Sequence, residues 1–388
     1  MSRYWNNRTK NISPYTPGEQ PKDRKFIKLN TNENPYPPSP KVMEAIRKAV
    51  NEDLRLYPDP ACSMFRELAA GHYGVKPAQV FAGNGSDEIL AFAFGAFFES
   101  STGAVNGAVN SGSAEILFPD ITYSFYPVYA DLWNIPYRTV PLREDFSINC
   151  DDYTVPCGVV FPNPNAPTGV PVPLDDIVSL AGYLEGQGRV LVVDEAYGAF
   201  GEADGIGISA VPLVNQHQNI LTVHTMSKQM SLAGLRFGFA IGSEALIQGL
   251  YRIKDSFNSY PVDRLALAGA SAAIADAAYY DGINRKVTAT RERVTDELRS
   301  LGCRILPSAA NFIFMQAPGA DGVPRICGAD FFSALRERGI LVRHFNKERI
   351  SDFLRVTIGT DDEMDIFLTE CKDIFRQYPH KREIPEEK

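Results

Sequence analysis

The 388-residue chain has no C-x-x-C pair, no H-E-x-x-H run and no close cluster among its five histidines. Its six cysteines, at positions 62, 150, 157, 303, 327 and 371, are scattered. That spacing argues against a structural zinc site and against a disulfide framework, and no metal is expected. Basic residues are also short: 39 Lys+Arg stand against 47 Asp+Glu, a net charge of −8. A nucleic-acid polyanion needs a basic surface and is not expected as the main partner. Long apolar runs are missing as well. The longest, Ile89 to Phe98, falls well short of the ~20 residues that span a bilayer. Met1 to Tyr15 is polar and lacks the apolar segment of a secretory signal. No membrane partner is expected, and the expected location is cytoplasmic.

What is there is ordinary for a globular α/β chain: 44% apolar and 22% charged residues, enough for a sizeable core. Residues 1–38 are rich in proline and read as an extended arm. Ser39-Pro40 opens a helix with Val42, Ala45, Ile46 and Ala49 on its apolar face, and Asp59-Pro60 opens another carrying Met64, Phe65, Leu68 and Ala69. Short apolar strands then alternate with helical patterns: Val80–Ala82, Glu115–Phe118, Val159–Phe161, Arg189–Val193, Ile220–His224 and Phe237–Ile241. Such alternation predicts a mainly parallel sheet covered on both faces. After it come long helices near 244–254, 262–278 and 282–300. Strands near 303–306, 311–316 and 353–358 follow, with helices near 328–338 and 361–377. The expected division is an arm (1–38), a large domain (39–258) and a smaller α+β domain (259–388) that the arm joins.

Ligands collect at the carboxyl ends of parallel strands. Four such ends carry polar groups. Gly83-Asn84-Gly85-Ser86-Asp87-Glu88 links a strand to a helix, where free N–H groups suit a phosphate. It lacks the third glycine of a dinucleotide fingerprint and reads equally as a capped turn. Asn163-Pro164-Asn165-Ala166-Pro167-Thr168-Gly169 is either a stiff turn or a source of amide donors. Asp194-Glu195-Ala196-Tyr197 sets an acid and a phenol three residues apart, or merely opens a helix. Thr225-Met226-Ser227-Lys228 precedes Leu232-Ala233-Gly234-Leu235-Arg236. A lysine there is either solvated or desolvated, and desolvation makes its amine a better nucleophile toward an aldehyde. Together the four ends match the needs of pyridoxal phosphate: a lysine for the aldehyde, an acid for the ring nitrogen, and donors for the phenolic oxygen and the phosphate.

With those motifs in order, the chain resembles the fold-type-I pyridoxal-phosphate aminotransferases from about Ser13 to Phe375, and more narrowly the histidinol-phosphate aminotransferase family. Ser13-Pro14-Tyr15-Thr16-Pro17-Gly18 and Leu29-Asn30-Thr31-Asn32-Glu33-Asn34-Pro35 are similar to its N-terminal segments, and Leu354-Arg355-Val356-Thr357 to its carboxylate-binding strand. The resemblance implies that Lys228 carries the cofactor, Asp194 pairs with the ring nitrogen and Tyr197 serves the phenolic oxygen. It puts Arg236, Thr225, Ser227 and the backbone of Gly85, Ser86 and Asp87 on the phosphate, and Tyr123 on the ring face. Tyr57 would reach the cofactor phosphate of a neighbouring subunit, which implies a homodimer with shared sites. One position departs: Ala166 stands where the commoner motif has the Asn that touches the phenolic oxygen, so Asn165 or Tyr197 alone would serve. Arg343 and Arg355, with Tyr15 and Asn32, would bind substrate.

The implied reaction is transamination between histidinol phosphate and 2-oxoglutarate, giving imidazole-acetol phosphate and glutamate. An aromatic-amino-acid aminotransferase or a threonine-phosphate decarboxylase would share every cofactor residue. A non-catalytic cofactor-binding regulator would need a DNA-binding extension for which the layout leaves no room. A Rossmann oxidoreductase fits poorly, because its glycine fingerprint is incomplete.

Overall fold

The computed structural model describes residues 3–15, 18–21, 24–100, 115–202, 207–320 and 322–378. Thr16 and Pro17 of the N-terminal motif, and the last ten residues of the expected small domain, lie outside that set. Seven strands form the larger sheet: β1 (Val80–Gly83), β2 (Ile116–Pro119), β3 (Tyr137–Val140), β4 (Gly158–Pro162), β5 (Leu191–Asp194), β6 (Ile220–Thr225) and β7 (Gly238–Gly242). Their order is β1-β7-β6-β5-β4-β2-β3. The pairs from β6 to β3 are parallel, and β7 runs against both its neighbours.

Side-chain alternation explains why these strands read as unbroken apolar runs. Val80 and Ala82 enter one core while Phe81 enters the other; Leu191 and Val193 are likewise opposed to Val192. Both faces are covered, so most positions are apolar, with the polar ones gathered toward the carboxyl ends of β5 and β6. Strand β3 is the exception. It lies at the edge, and Tyr137, Arg138 and Thr139 are only partly covered or exposed, so no apolar run announces it. Helices α1 (Pro40–Ala49), α2 (Ser63–Tyr73), α3 (Gly85–Phe97), α4 (Phe125–Trp133), α5 (Leu174–Gly186), α6 (Glu244–Phe257) and α7 (Arg264–Ile274) accompany this sheet.

Two expectations need correction. Helix α2 starts at Ser63, not at Asp59-Pro60. Asp59 instead closes the preceding turn, its carboxylate accepting from the N–H groups of Ala61 (2.9 Å) and Ser63 (2.7 Å). Of the four apolar residues assigned to that helix, Phe65 and Ala69 are buried, but Met64 and Leu68 face outward. The arm is not wholly extended either: Asn7–Asn11 form one short helix.

The second sheet contains β8 (Arg304–Ile305), β9 (Phe312–Gln316), β10 (Arg343–His344) and β11 (Phe353–Thr357), all antiparallel in the order β10-β11-β9-β8. Helices α8 (Ala277–Ser300), α9 (Gly328–Glu337) and α10 (Asp361–Gln377) cover one face. Ile313, Met315, Leu354 and Val356 pack there with Val294, Leu335 and Phe367. Phe314 and Phe353 turn the other way, stack at 4.9 Å between ring centroids and join the core of the larger sheet. The period-2 geometry of β9 thus joins the two sheets. The arm adds one more tie: Ile27–Lys28 pair in parallel with Ile340–Leu341.

Helix α10 begins with a capping box. The Thr360 hydroxyl accepts from the Glu363 N–H (3.3 Å), and the Glu363 carboxylate accepts from the Thr360 N–H (2.9 Å). Thr360→Ala is expected to cost ~1 kcal/mol of stability and Thr360→Ser less than ~0.5. Urea titration followed by circular dichroism checks this; equal midpoints for Thr360→Ala and the parent chain would show that the box contributes nothing.

Candidate active site

A cavity of about 360 Å³ opens at the carboxyl ends of β4, β5 and β6, between the two sheets and the arm. Of the sixteen residues singled out in the sequence, thirteen line it: Tyr15, Asn32, Ser86, Asp87, Tyr123, Asp194, Tyr197, Thr225, Ser227, Lys228, Arg236, Arg343 and Arg355. Gly85 lies just behind, at the start of α3. Asn165 and Tyr57 do not line it.

One end of the cavity is built for an anion. Helix α3 points its first N–H groups at it, and Thr225, Ser227 and Arg236 surround the same space. The Thr225 hydroxyl donates to Ser227 Oγ at 2.9 Å, and Arg236 Nη1 reaches the same oxygen at 3.4 Å. Arg236 Nη2 pairs with Asp87 at 3.2 Å. Glycines permit this crowding. Gly85 has φ +81°, and a Cβ on it would lie 3.0 Å from the Arg236 guanidinium. A Cβ on Gly238 would lie 2.6 Å from Ser86 N. Only the bare backbone lets β7 and the Gly85–Ser86 turn approach so closely.

Asp194 stands in the middle of the cavity wall, 4% exposed, at the end of β5. Its carboxylate accepts from the Tyr126 hydroxyl (3.0 Å) and from the Ala196 N–H (3.2 Å). Among the described residues no cation pairs with it, and burial pushes its pKa up to about 7. A ring nitrogen that keeps its proton would supply the missing positive partner. Tyr197 stands beside it. Its hydroxyl accepts from Asn32 Nδ2 at 2.8 Å, which leaves its own proton to donate into the cavity.

Lys228 follows β6 on a single helical turn, Met226–Gln229, capped by the Thr225 side chain. Its Nζ donates to the carbonyl of Thr31 at 2.9 Å. Burial, and then the positive field of Arg355, lower its pKa to about 8. A carbonyl from the arm is therefore its partner, not a carboxylate.

At the far end Arg343 and Arg355 stand directly opposite each other on β10 and β11. Like charges in that register repel. Among the described residues neither forms an ion pair. Arg355 Nη2 donates to the Asn30 carbonyl at 3.0 Å, but its Nε is buried without a hydrogen-bond partner. Burial also lowers its pKa. Tyr15 borders the same end and stacks on Phe125 at 4.3 Å.

Asn165 is fully buried and spent elsewhere. Its Nδ2 donates to the Ile121 carbonyl and to Thr168 Oγ1, both at 3.0 Å, and its Oδ1 accepts from Thr122 at 3.1 Å. It holds the turn rather than facing the cavity. Ala166 does face it, packed with Ala310, Phe312 and Tyr197; a polar Asn would meet that apolar cluster. Tyr57 is 79% exposed and stacks on Tyr260, 4.6 Å away on its own surface. Sequence reasoning missed Tyr126, whose only signal is its position three residues after Tyr123. It also missed the carbonyls of Asn30 and Thr31, which no residue type announces.

The arrangement fits pyridoxal phosphate: an anion cradle that side chains would fill, a buried acid with no cation beside it among the described residues, and a lysine amine poised near neutrality. The lysine gives a direct test. In the cofactor-free protein, acylation of Lys228 is expected to reach half its maximum near pH 8, against about 10.4 for an ordinary lysine. Peptide mass mapping after acetic anhydride treatment across pH reads it. A Lys228 profile that matches the surface lysines would contradict the assignment.

Residues 24–370 match the model of the family "Aminotransferase class I and II". The histidinol-phosphate aminotransferase of Clostridium acetobutylicum is 49% identical, the match covering 96% of this chain and 99% of that protein. Histidinol-phosphate aminotransferase 1 of Bordetella parapertussis is 50% identical, over 97% of this chain and 99% of that protein. Among solved structures, the Sinorhizobium meliloti histidinol-phosphate aminotransferase in complex with pyridoxal 5′-phosphate has a TM-score of 0.78 at 24% identity, covering 92% of this chain and 93% of that one. A Thermus thermophilus aspartate aminotransferase mutant has 0.78 at 19% identity, covering 96% and 100%. The structures share the fold, and the sequence relatives narrow it: the chain belongs to the class I and II aminotransferases and, within them, to the histidinol-phosphate aminotransferase family.

Proposed function

We propose that this protein transfers an amino group between L-histidinol phosphate and 2-oxoglutarate, forming imidazole-acetol phosphate and glutamate, a step of histidine biosynthesis. The observation that carries the reading is the Arg343–Arg355 pair. Two cations in register, one buried with an orphaned N–H, call for a dianion or two carboxylate oxygens. An arginine fork binds either through paired hydrogen bonds. The same end can therefore hold the phosphate of one donor and a carboxylate of the other.

Pyridoxal phosphate, when bound, supplies an aldehyde for the amine and a ring that accepts an electron pair. The chain does the rest. Arg236, Thr225, Ser227 and the first N–H groups of α3 hold the cofactor phosphate. Asp194 keeps the ring nitrogen protonated, and Tyr126 fixes the plane of its carboxylate. Tyr197 donates to the phenolic oxygen, with Asn32 orienting it from the arm. Tyr123, whose hydroxyl donates to Asp87 at 2.7 Å, is held upright to cover the ring face. Lys228 Nζ is the amine that would hold the cofactor by its aldehyde, and as a free amine it would take the proton from the substrate's amine-bearing carbon.

A second reading has one observation in its favour. Tyr15, Tyr123 and Phe345 form an aromatic wall that would accept a phenyl ring as well as an imidazole. Half-reactions separate the two. Mixed with the cofactor-loaded protein, L-histidinol phosphate is expected to convert the cofactor spectrum at least ~10-fold faster than phenylalanine. Arg343→Ala is expected to slow the histidinol-phosphate reaction by ~10-fold or more, about one charge-assisted hydrogen bond, and the glutamate reaction less. Faster conversion by phenylalanine would favour the aromatic reading, and equal losses with both donors would make Arg343 structural. Lys228→Ala should bind cofactor yet give no cofactor-bearing peptide after borohydride reduction.

The working unit we propose is a cytoplasmic homodimer. Among the described residues the six cysteines form no disulfide, which suits a reducing compartment. Tyr57 and Tyr260 stack on the surface, and Leu54 and Leu56, just before Tyr57 in the chain, are exposed as well, which suits a subunit contact. In this reading Tyr57 serves the partner's cofactor phosphate. Tyr57→Ala and Lys228→Ala chains, mixed and exchanged, then rebuild one intact site per mixed dimer, and about a quarter of wild-type activity should return. No recovery from two inactive parents, or a monomer in sedimentation, would refute the shared site.

A further inference from the structure

The segment that carries Arg343 does not end at the cavity. Beyond Phe345 it crosses to the loops that follow β2 and β3 and is held there. Lys347 Nζ donates to the Asp120 carbonyl. Arg349 Nη2 donates to the carbonyls of Leu142 (3.0 Å) and Arg143 (2.7 Å), and its Nη1 lies 3.6 Å from the Asp120 carboxylate. Asp120 is itself fixed: its Oδ1 accepts from the N–H groups of Ile121 (2.8 Å) and Leu142 (2.9 Å). One carboxylate and one guanidinium therefore tie three separate segments together.

The backbone is strained where they meet. Arg349 has φ +67° and Phe146 has φ +66°, and the Arg349 guanidinium lies 5.3 Å from the centroid of the Phe146 ring. Side chains hold left-handed backbone only where surrounding contacts impose it. Here the Arg349 guanidinium is one such contact, and the Phe353 ring, 5.5 Å from Phe146, is another.

Each end of the tie adjoins the cavity. Asp120 leads into Thr122 and Tyr123; Lys347 and Arg349 follow Arg343 and Phe345. All four of those neighbours line the cavity. We infer that Arg349, Lys347 and Asp120 are positioning residues that set the gap between the cofactor wall and Arg343, and with it the affinity for the anionic end of the substrate. This rests on the reading of Arg343 as an anion-binding residue.

The test uses the full chain loaded with pyridoxal phosphate. Arg349→Met keeps the stem and removes the guanidinium. The KM for L-histidinol phosphate should rise ~10-fold or more, the KM for glutamate ~3-fold, and kcat should change less than ~3-fold. Cofactor affinity, from absorbance titration of the apoprotein, should stay within ~2-fold, since the tie lies outside the phosphate cradle. Asp120→Asn keeps the Oδ1 acceptor and should shift both KM values the same way by less. Unchanged KM in both variants overturns the inference. So does a loss of cofactor affinity that matches the rise in KM, because that marks general loosening. If Arg349→Met fails to fold, Lys347→Met, at an exposed position, carries the same comparison. If the parent chain converts glutamate but not histidinol phosphate, the substrate reading fails, and the glutamate KM still decides the tie.

Discussion

Two cations in the cavity wall, Lys228 and Arg355, are held by backbone carbonyls and not by carboxylates. Much of the site follows from that. A carbonyl is a dipole; it holds a charged or neutral amine in place without cancelling its field. Had a carboxylate paired with Lys228, the amine would stay protonated and lose its use as a nucleophile. Had one paired with Arg355, an incoming anion would have to displace it. Both carbonyls come from consecutive residues, Asn30 and Thr31, so the arm must lie where it does. Its parallel pairing with Ile340–Leu341, three residues from Arg343, fixes that path. The small sheet, the arm and the lysine turn are thus parts of one electrostatic arrangement.

The end of β5 shows how one strand serves two environments. Asp194 and Glu195 are neighbours, both buried, and burial raises both pKa values, to about 7 and about 8. They point to opposite faces of the sheet. Glu195 accepts from the Ser209 hydroxyl (2.7 Å) and the Ala210 N–H (2.6 Å), and its other near neighbour, His224, is kept neutral by burial, with a pKa near 3. That face is a satisfied polar patch. Asp194 has donors as well, but it borders a cavity that can deliver a cation. The difference between a structural acid and a site acid here is access.

Much of this was legible in the chain. The strands of the larger sheet were, apart from β3, because burial on both faces leaves an unbroken apolar signal. Lys228, Asp194, Tyr197 and Arg236 were legible only together: each alone reads equally as a solvated charge or a helix start, and the set of four motifs and the family they resemble point to one site. The two-residue ladders of the arm and β10 were not: they are too short for any period. Asn165 misled because amide side chains serve turns and ligands equally, and only the contacts of Thr122, Thr168 and Ile121 decide between them. Asp59 misled for a related reason, since an Asx turn and a helix cap share one residue type. Asn30 and Thr31 could not be found from side-chain chemistry, because the groups they contribute belong to the backbone.

Selectivity must then reside in little of the molecule. The fold is shared with an aspartate aminotransferase mutant at a TM-score of 0.78 and 19% identity, so the fold by itself does not choose a substrate. In the proposed reading the cradle, Asp194, Tyr197 and Lys228 answer to the cofactor. What remains facing the substrate in that reading is the arm around Tyr15 and Asn30–Glu33, the 343–345 segment and Arg355 opposite it. These elements come from opposite ends of the chain, and each is tied to the rest at a point outside the cavity. The ladder at Ile27–Lys28 holds one, and the Asp120–Arg349 crossing holds the other. An anion pocket made of such parts can be retuned by shifting how they are tied without touching the cofactor, which explains how one cofactor machine can serve donors as different as a phosphate ester and a dicarboxylate.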